Sequence, residues 1–291
     1  MWMTSDGKPI LRKLSRKFLR NLFRYDPEFT DWYSHPNFKA AGAYYLERIV
    51  SVLNGLPKTH LRILDIGSHS GRITIPLIQA GYVNTMGIDT SGMAVRCGNS
   101  TLASMGLGKS FKKAEAWHYL RRCPSKRFDV ILCIGVLCLC PHYRAVMKEM
   151  ARCLRVGGSL VITFKTKFFV FNELLKYHHY DEAHYAARHP HHPRDLKGQG
   201  CSWQTRKEMQ QYLHEDGFQL LSEELNPPDG LGLTYPDRLA RYLELYPMDR
   251  DHLGFLRDAG VEFVVVARKP EASGARETPP GEVIELRKAI A

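Results

Sequence analysis

The sequence predicts a doubly wound α/β fold, a mostly parallel sheet with helices on both faces. Three observations carry that expectation. Apolar, strand-like runs alternate with helical segments from Leu61 to Phe164, and such alternation needs crossover connections that place helices on either side of parallel strands. The run Leu61–Ile66 ends in an acid and a glycine turn just before a helix opens, an arrangement found at the ligand-binding edge of open sheets. The composition, 44% hydrophobic and 24% charged over 291 residues, suits a chain that buries a core.

At the N-terminus, Lys8, Arg12, Lys13, Arg16, Lys17, Arg20 and Arg24 gather opposite Ile10, Leu11, Leu14, Phe18, Leu22 and Tyr25 on a helical wheel. This is a basic amphipathic helix, and the first 24 residues, with Asp6 as their one acid, hold six of the eleven net positive charges. Residues 8–25 can cap the main domain, lie on an anionic membrane surface, or contact nucleic acid. The continuous apolar region of a signal peptide is missing. The longest apolar run, Val130 to Cys140, is far shorter than the ~20 residues that cross a bilayer. The expected location is cytoplasmic, with the basic helix suited to the inner membrane surface.

An aromatic linker, Tyr25 to Phe38, leads to a helix near Ala40–Leu53, ended by Asn54-Gly55 and Pro57. Residues 1–57 read as a helical cap and 58–269 as the main domain. Strands are expected at Leu61–Ile66, Val83–Ile88, Phe111–Ala114, Phe128–Ile134 and Ser159–Phe164. Helices are expected at Gly71–Ala80, Ser91–Ser104 and His142–Leu154, the last closed by a turn at Arg155–Gly158. Lys165–Gly200, with six histidines between His178 and His192, breaks the alternation and reads as a lid. A helix at Gln204–Glu215 and strands at Phe218–Glu224 and Glu262–Ala267 follow. A second insertion at Leu225–Val261 carries a helix at Pro236–Leu245, and residues 270–291 read as a mobile tail with a short helix at Val283–Ile290. Cys133, Cys138 and Cys140, in an apolar segment, suit reduced core thiols. Cys138-x-Cys140 lacks a second ligand pair, so no metal site is expected.

The chemistry is concentrated in Ile63-Leu64-Asp65-Ile66-Gly67-Ser68-His69-Ser70-Gly71-Arg72-Ile73-Thr74. Gly67 permits a tight turn and Gly71 close packing of helix on strand, so backbone can approach a ligand. A carboxylate at Asp65 would oppose a pyrophosphate, whereas S-adenosylmethionine has no phosphate and carries positive ammonium and sulfonium groups. Asp89, followed by Thr90 at the end of the second strand, is placed to accept ribose hydroxyls.

Taken in order, these segments resemble the class I S-adenosylmethionine-dependent methyltransferases. Asp65-Ile66-Gly67 with Ser68, His69 and Gly71 is similar to the family's cofactor loop, and Ile88-Asp89 to its ribose acid. Ala114-Glu115-Ala116 falls where an adenine-contacting loop is expected. Arg127-Phe128-Asp129-Val130-Ile131, running on to Cys133, resembles the fourth-strand motif, and Leu154-Arg155-Val156-Gly157-Gly158 the turn before the fifth strand. The resemblance implies a Rossmann-like seven-stranded sheet, S-adenosylmethionine as cofactor, and a methyl acceptor. Departures are informative. His69 replaces the central glycine of the usual loop, and Lys113 stands where an aspartate for the adenine amino group is often found, leaving Glu115 as the nearest substitute.

The order of N-terminal helices and core is similar to the ubiquinone-biosynthesis O-methyltransferases, whose Glu-His pair after the fourth strand falls here on Cys138-Leu139. Asn226-Pro227-Pro228-Asp229 follows a later strand and is not a base-clamping motif of nucleic-acid N-methyltransferases. The function implied is methylation, on oxygen, of a small-molecule acceptor. An RNA acceptor, or a non-catalytic cofactor-binding scaffold at a membrane, stands as the alternative. A hydroxyl acceptor must lose a proton, and His178, His179 and His184, beside aromatic residues in the lid, are the candidate bases.

Overall fold

The computed structural model describes residues 36–140, 142–191, 202–226 and 236–271. The basic helix at 8–25, the expected linker as far as residue 35, the Pro227-Pro228 segment and residues 272–291 with the expected helix lie outside the described residues, and the last three residues of the expected linker are helical.

The described chain is built on a seven-stranded sheet: β1 (Ile63–Ile66), β2 (Thr85–Asp89), β3 (Phe111–Lys113), β4 (Phe128–Cys133), β5 (Leu154–Lys165), β6 (Gln219–Asn226) and β7 (Glu262–Arg268). The spatial order is β3-β2-β1-β4-β5-β7-β6. β1 to β5 are mutually parallel, and β7 runs antiparallel to both neighbours. The doubly wound expectation is met. Helices are α1 (Pro36–Leu53), α2 (Thr74–Gln79), α3 (Gly92–Ser104), α4 (Ala116–Arg122), α5 (Tyr143–Cys153), α6 (Lys167–Lys176), α7 (Tyr180–Arg188), α8 (Arg206–Glu215) and α9 (Pro236–Leu245).

The apolar central strands bury both faces, which is why they lack a polar alternation. Leu64, Ile66, Ile131, Leu160, Ile162 and Val265 pack on one side against Leu120 of α4, Val146 and Met150 of α5, and Met209 and Leu213 of α8. Ile63, Val130, Leu132, Val161, Val264 and Val266 pack on the other against Tyr45, Leu46, Ile49 and Leu53 of α1 and Leu77 of α2. The helix read from the sequence as part of a cap thus completes one layer of the main core.

Several boundaries differ from expectation. α2 begins at Thr74 rather than Gly71, because Gly71 takes φ +105°, a value outside a right-handed helix. β2 starts at Thr85, since Val83 is exposed and Asn84 turns back to donate to the Thr59 carbonyl. The expected turn at Arg155–Gly158 is a bulge within β5: Phe128 pairs with Leu154, and the next pair is Val130 with Ser159. Asp129 fastens that bulge, accepting from the Arg62 backbone N–H at 2.8 Å, Arg62 Nε at 3.0 Å and Arg155 Nε at 2.5 Å. Burial works to raise its pKa, but the two arginines outweigh it and hold the carboxyl below its ordinary value. This motif acid therefore braces the opposite end of the sheet from the loop that follows β1.

The described part of the segment expected as a lid is a helical pair with its own core. Thr166 caps α6 by accepting from the Phe169 N–H. Phe168, Phe171 and Leu175 of α6 pack with Ala183 and Ala186 of α7, Trp203, Tyr242 of α9 and Phe255. Residues 202–204 then return along the end of β5, where the Gln204 N–H donates to the Lys165 carbonyl and the Lys167 N–H to the Gln204 carbonyl.

Candidate active site

The C-terminal ends of β1 and β2 hold the first half of the site. After Ile66 the chain turns sharply, and the Gly67 and Ser68 N–H groups both donate to the Ile88 carbonyl. Gly67 has φ +72°, and a Cβ there would stand 2.0 Å from Val136 Cγ2, so no side chain fits. His69 also lies in the left-handed region, at φ +49°. That is the physical reason a glycine is usual at this place. Its ring is buried, with Nδ1 3.3 Å from Ser70 Oγ.

Asp89 ties this loop to β2. One carboxylate oxygen accepts from the His69 N–H at 2.9 Å and the other from the Ser91 N–H at 2.8 Å. A carboxylate has about four acceptor sites, so each oxygen keeps a lone pair while its position is fixed. Thr90 beside it is exposed, and the Ala114 N–H donates to the Asp89 carbonyl. Asp65 differs from Asp89 in being fully enclosed. It accepts from Thr74 Oγ1 at 2.7 Å, and burial pushes its pKa up to about 7 against the opposing effects of Thr74 and Arg72. Near neutral pH it carries only part of the full charge expected from the sequence, and its contact joins β1 to the first turn of α2.

Glu115 caps α4, accepting from the Trp117 N–H at 3.1 Å and the His118 N–H at 2.8 Å. Burial raises its pKa less than these hydrogen bonds and His118 lower it. Cys133 is the register partner of Ile66, and its thiol lies in the core, where burial raises its pKa well above the ordinary value.

The second half of the edge belongs to β4, β5 and β7, and most of its residues were not singled out by sequence. The Gly135 N–H donates to Thr163 Oγ1 at 2.8 Å, setting the loop that carries Val136 over Gly67. Cys138, buried two residues on, has its pKa raised to about 11 by burial, with Lys165 lowering and Glu262 raising it. Glu262 of β7 accepts from the Tyr45 hydroxyl of α1 and from Asn226 Nδ2. Arg72 stands 5.5 Å from the centroid of the Tyr45 ring. No short-range pattern links Tyr45, Lys165 and Glu262; only the aromatic side of α1 and the polar ends of two apolar strands hinted at them.

The three candidate histidines, in or just before α7, are each engaged by another side chain. His178, at φ +58° in the α6–α7 turn, has Nδ1 3.2 Å from the Tyr180 hydroxyl. His179 Nδ1 is 3.9 Å from Glu182 Oε2. His184 stacks on Tyr246 with ring centroids 4.0 Å apart. α6 carries the chain roughly 15 Å from the end of β5 before it reaches His178.

The profile of a family described as a methyltransferase domain matches residues 38–223, well over half of the chain. The chain belongs to this family. The methyltransferase shares its fold with solved structures of low sequence identity. A [4+2]-cyclase, SpnF, superposes with a TM-score of 0.52 at 16% identity, covering 88% of this chain and 93% of that one. A protein from Pyrococcus horikoshii gives 0.53 at 16%, covering 86% and 98%. A geranyl diphosphate methyltransferase in complex with S-adenosylmethionine gives 0.52 at 15%, covering 81% and 92%. The search of curated proteins gives no match.

The methyltransferase takes S-adenosylmethionine, and its residues fit that cofactor. Loop 67–71 is a backbone cradle in which a Cβ at position 67 has no room. Ser68 Oγ is buried with no hydrogen-bond partner among the described residues, and Asp89 is fixed with acceptor capacity to spare.

Proposed function

We propose that this enzyme methylates an oxygen of a small-molecule acceptor held against the ends of β4, β5 and β7. Asp89 would take the ribose hydroxyls; Gly67, Ser68, His69 and Gly71 would lie along the amino-acid end; and Asp65 would brace that loop from beneath. Thr90, Ala114 and Glu115 would flank the base, Glu115 through its backbone because its carboxylate caps α4. Cys133 would act only by closing the core under the loop. The chemistry supplied by bound S-adenosylmethionine is an activated methyl on a positive sulfonium, whose transfer leaves a neutral thioether. The protein's part is alignment, an effect that can supply ~7–11 kcal/mol.

The observation that carries the small-molecule reading is enclosure. Tyr45 from α1, Phe169 from α6, and Lys165, Cys138 and Glu262 from the sheet edge are all buried, so an acceptor that reaches this edge would lie between helices rather than on an open face. A geranyl diphosphate methyltransferase of the same fold supports an acceptor of that size. His178, His179 and His184 are assigned to packing of α6 and α7, and the acceptor proton to solvent.

A second reading rests on the sheet's other edge. Lys109, Lys112, Lys113, Arg121, Arg122, Lys126 and Arg127 around β3 and α4 are all exposed, and such a cluster suits RNA.

The test is product analysis. The protein is incubated with methyl-labelled cofactor and either the metabolite or the RNA fraction of a cell extract, and labelled products are identified by mass spectrometry. Label in metabolites, together with S-adenosylhomocysteine, is the expected result; label in RNA alone overturns it in favour of the second reading. In calorimetry, Asp89→Ala is expected to weaken cofactor binding at least about tenfold, the loss of hydrogen bonds to a charged group. Unchanged binding would remove Asp89 from the site.

A further inference from the structure

We infer that Lys165 is the counter-charge for an anionic group, a carboxylate or a phosphate, on the acceptor. The inference rests on the acceptor lying at the ends of β4, β5 and β7, and it adds the chemical class of that acceptor.

Two lysines end β5 and begin α6, and they are buried differently. Lys167 is 4% exposed, and its ammonium is satisfied: Nζ lies 3.4 Å from the Ala187 carbonyl and 3.5 Å from Glu208 Oε1. Lys165 is 7% exposed and has neither a hydrogen bond nor an ion pair among the described residues, but its stem is enclosed while Nζ itself keeps an opening to solvent. Its Nζ faces the Phe169 ring, 4.9 Å from the centroid. A lysine with an enclosed stem, an open tip and no protein carboxylate on its ammonium leaves that charge available to a ligand.

The nearest acid does not fill the gap. Glu262 is the register partner of Lys165 across the β5–β7 ladder, but its carboxylate is turned to the Tyr45 hydroxyl and the Asn226 amide. The strand end that carries this cation adjoins the loop whose Val136 covers Gly67: the Gly135 N–H donates to Thr163, and the Ser202 and Gln204 N–H groups donate to the Cys138 and Lys165 carbonyls. An anionic acceptor group there satisfies the ammonium and is also attracted by the positive methyl donor. Benzoate and phenyl phosphate separate the two sources of such an anion.

The experiment is a calorimetric titration of the full-length protein, loaded with S-adenosylhomocysteine, with benzoate, phenyl phosphate and uncharged benzamide. Wild type is expected to bind at least one anion about tenfold or more tightly than benzamide, since only the anions make a charge-assisted contact. Lys165→Met is expected to lose that preference and Lys165→Arg to keep most of it. The melting temperature separates this role from a structural one: a ligand-binding cation with no protein partner leaves Lys165→Met within about two degrees of wild type, because the substitution removes no contact that holds the fold. Equal anion binding by Lys165→Met, no anion preference in wild type, or a melting point several degrees lower in Lys165→Met would each overturn the inference. The loading step reports separately on the cofactor site. If S-adenosylhomocysteine does not bind, the cofactor assignment fails, and the same anion titration on the free protein still decides Lys165.

Discussion

The two halves of the sheet's C-terminal edge are built by different means. At β1 and β2 the geometry comes from the backbone: glycines and a left-handed His69 shape the loop, and Asp89 is fixed by two N–H groups from residues 2 and 20 positions away. At β4, β5 and β7 it comes from long side chains, with Tyr45 and Glu262 meeting across 217 residues. Backbone geometry suits a ligand that does not vary between related enzymes, whereas side chains can be exchanged without rebuilding the sheet. The contrast teaches that one half of the edge is shaped by the backbone of neighbouring residues, and the other by which side chains meet across it.

The sharpest way to break this contrast is to add a methyl group to the backbone half. Gly67→Ala would set a Cβ 2.0 Å from Val136 Cγ2 at φ +72°. Overpacking and left-handed strain together cost roughly 2–6 kcal/mol. Chemical denaturation should show that loss, and calorimetry should show no measurable cofactor binding. Wild-type behaviour in both would mean that the loop is as adaptable as the acceptor side.

Next in size is Asp65. Its folded pKa, about 7, lies above the ordinary 3.8, so between those values the folded state holds more protons than the unfolded one. Stability therefore falls as pH rises through this window, by roughly 4 kcal/mol at most. Asp65→Asn, which keeps a polar partner for Thr74, should be more stable than the wild type at pH 8, and the gain should vanish near pH 4. Denaturation midpoints across that range check the sign. Cofactor affinity should suffer less than in Asp89→Ala, since Asp65 braces the loop from beneath.

The smallest effect is expected at His184. Its replacement by alanine removes the stack on Tyr246, worth ~1 kcal/mol of stability. The kcat/KM for the identified acceptor should stay within about threefold, ~0.7 kcal/mol in barrier. A loss of several orders of magnitude would return the base to this helix pair.

The loop after β1 and its tie to β2 were legible because their determinants are local. Asp65, Gly67, Gly71 and Asp89 sit at fixed distances along the chain, and each answers a backbone requirement that any strand-turn-helix unit imposes. Even there, proximity in sequence did not give charge or orientation. Glu115 was read as an adenine contact, and its carboxylate proved to cap a seven-residue helix that apolar periodicity had not revealed. Asp129 matched a motif but secures a bulge at the far end of the sheet. The histidines at 178, 179 and 184 were conspicuous by composition, yet α6 carries them away from the end of β5.

What the sequence determined by itself was the alternation of strands and helices, hence the doubly wound sheet, and the glycine turn that follows β1, because hydrophobic period and backbone freedom are properties of neighbouring residues. The tertiary structure alone decided which of the two lysines around the end of β5 has a protein partner, how far burial raises the Asp65 pKa, and which helices cover the ends of β4, β5 and β7. Those depend on desolvation and on partners hundreds of residues apart, quantities that exist only once the chain has packed.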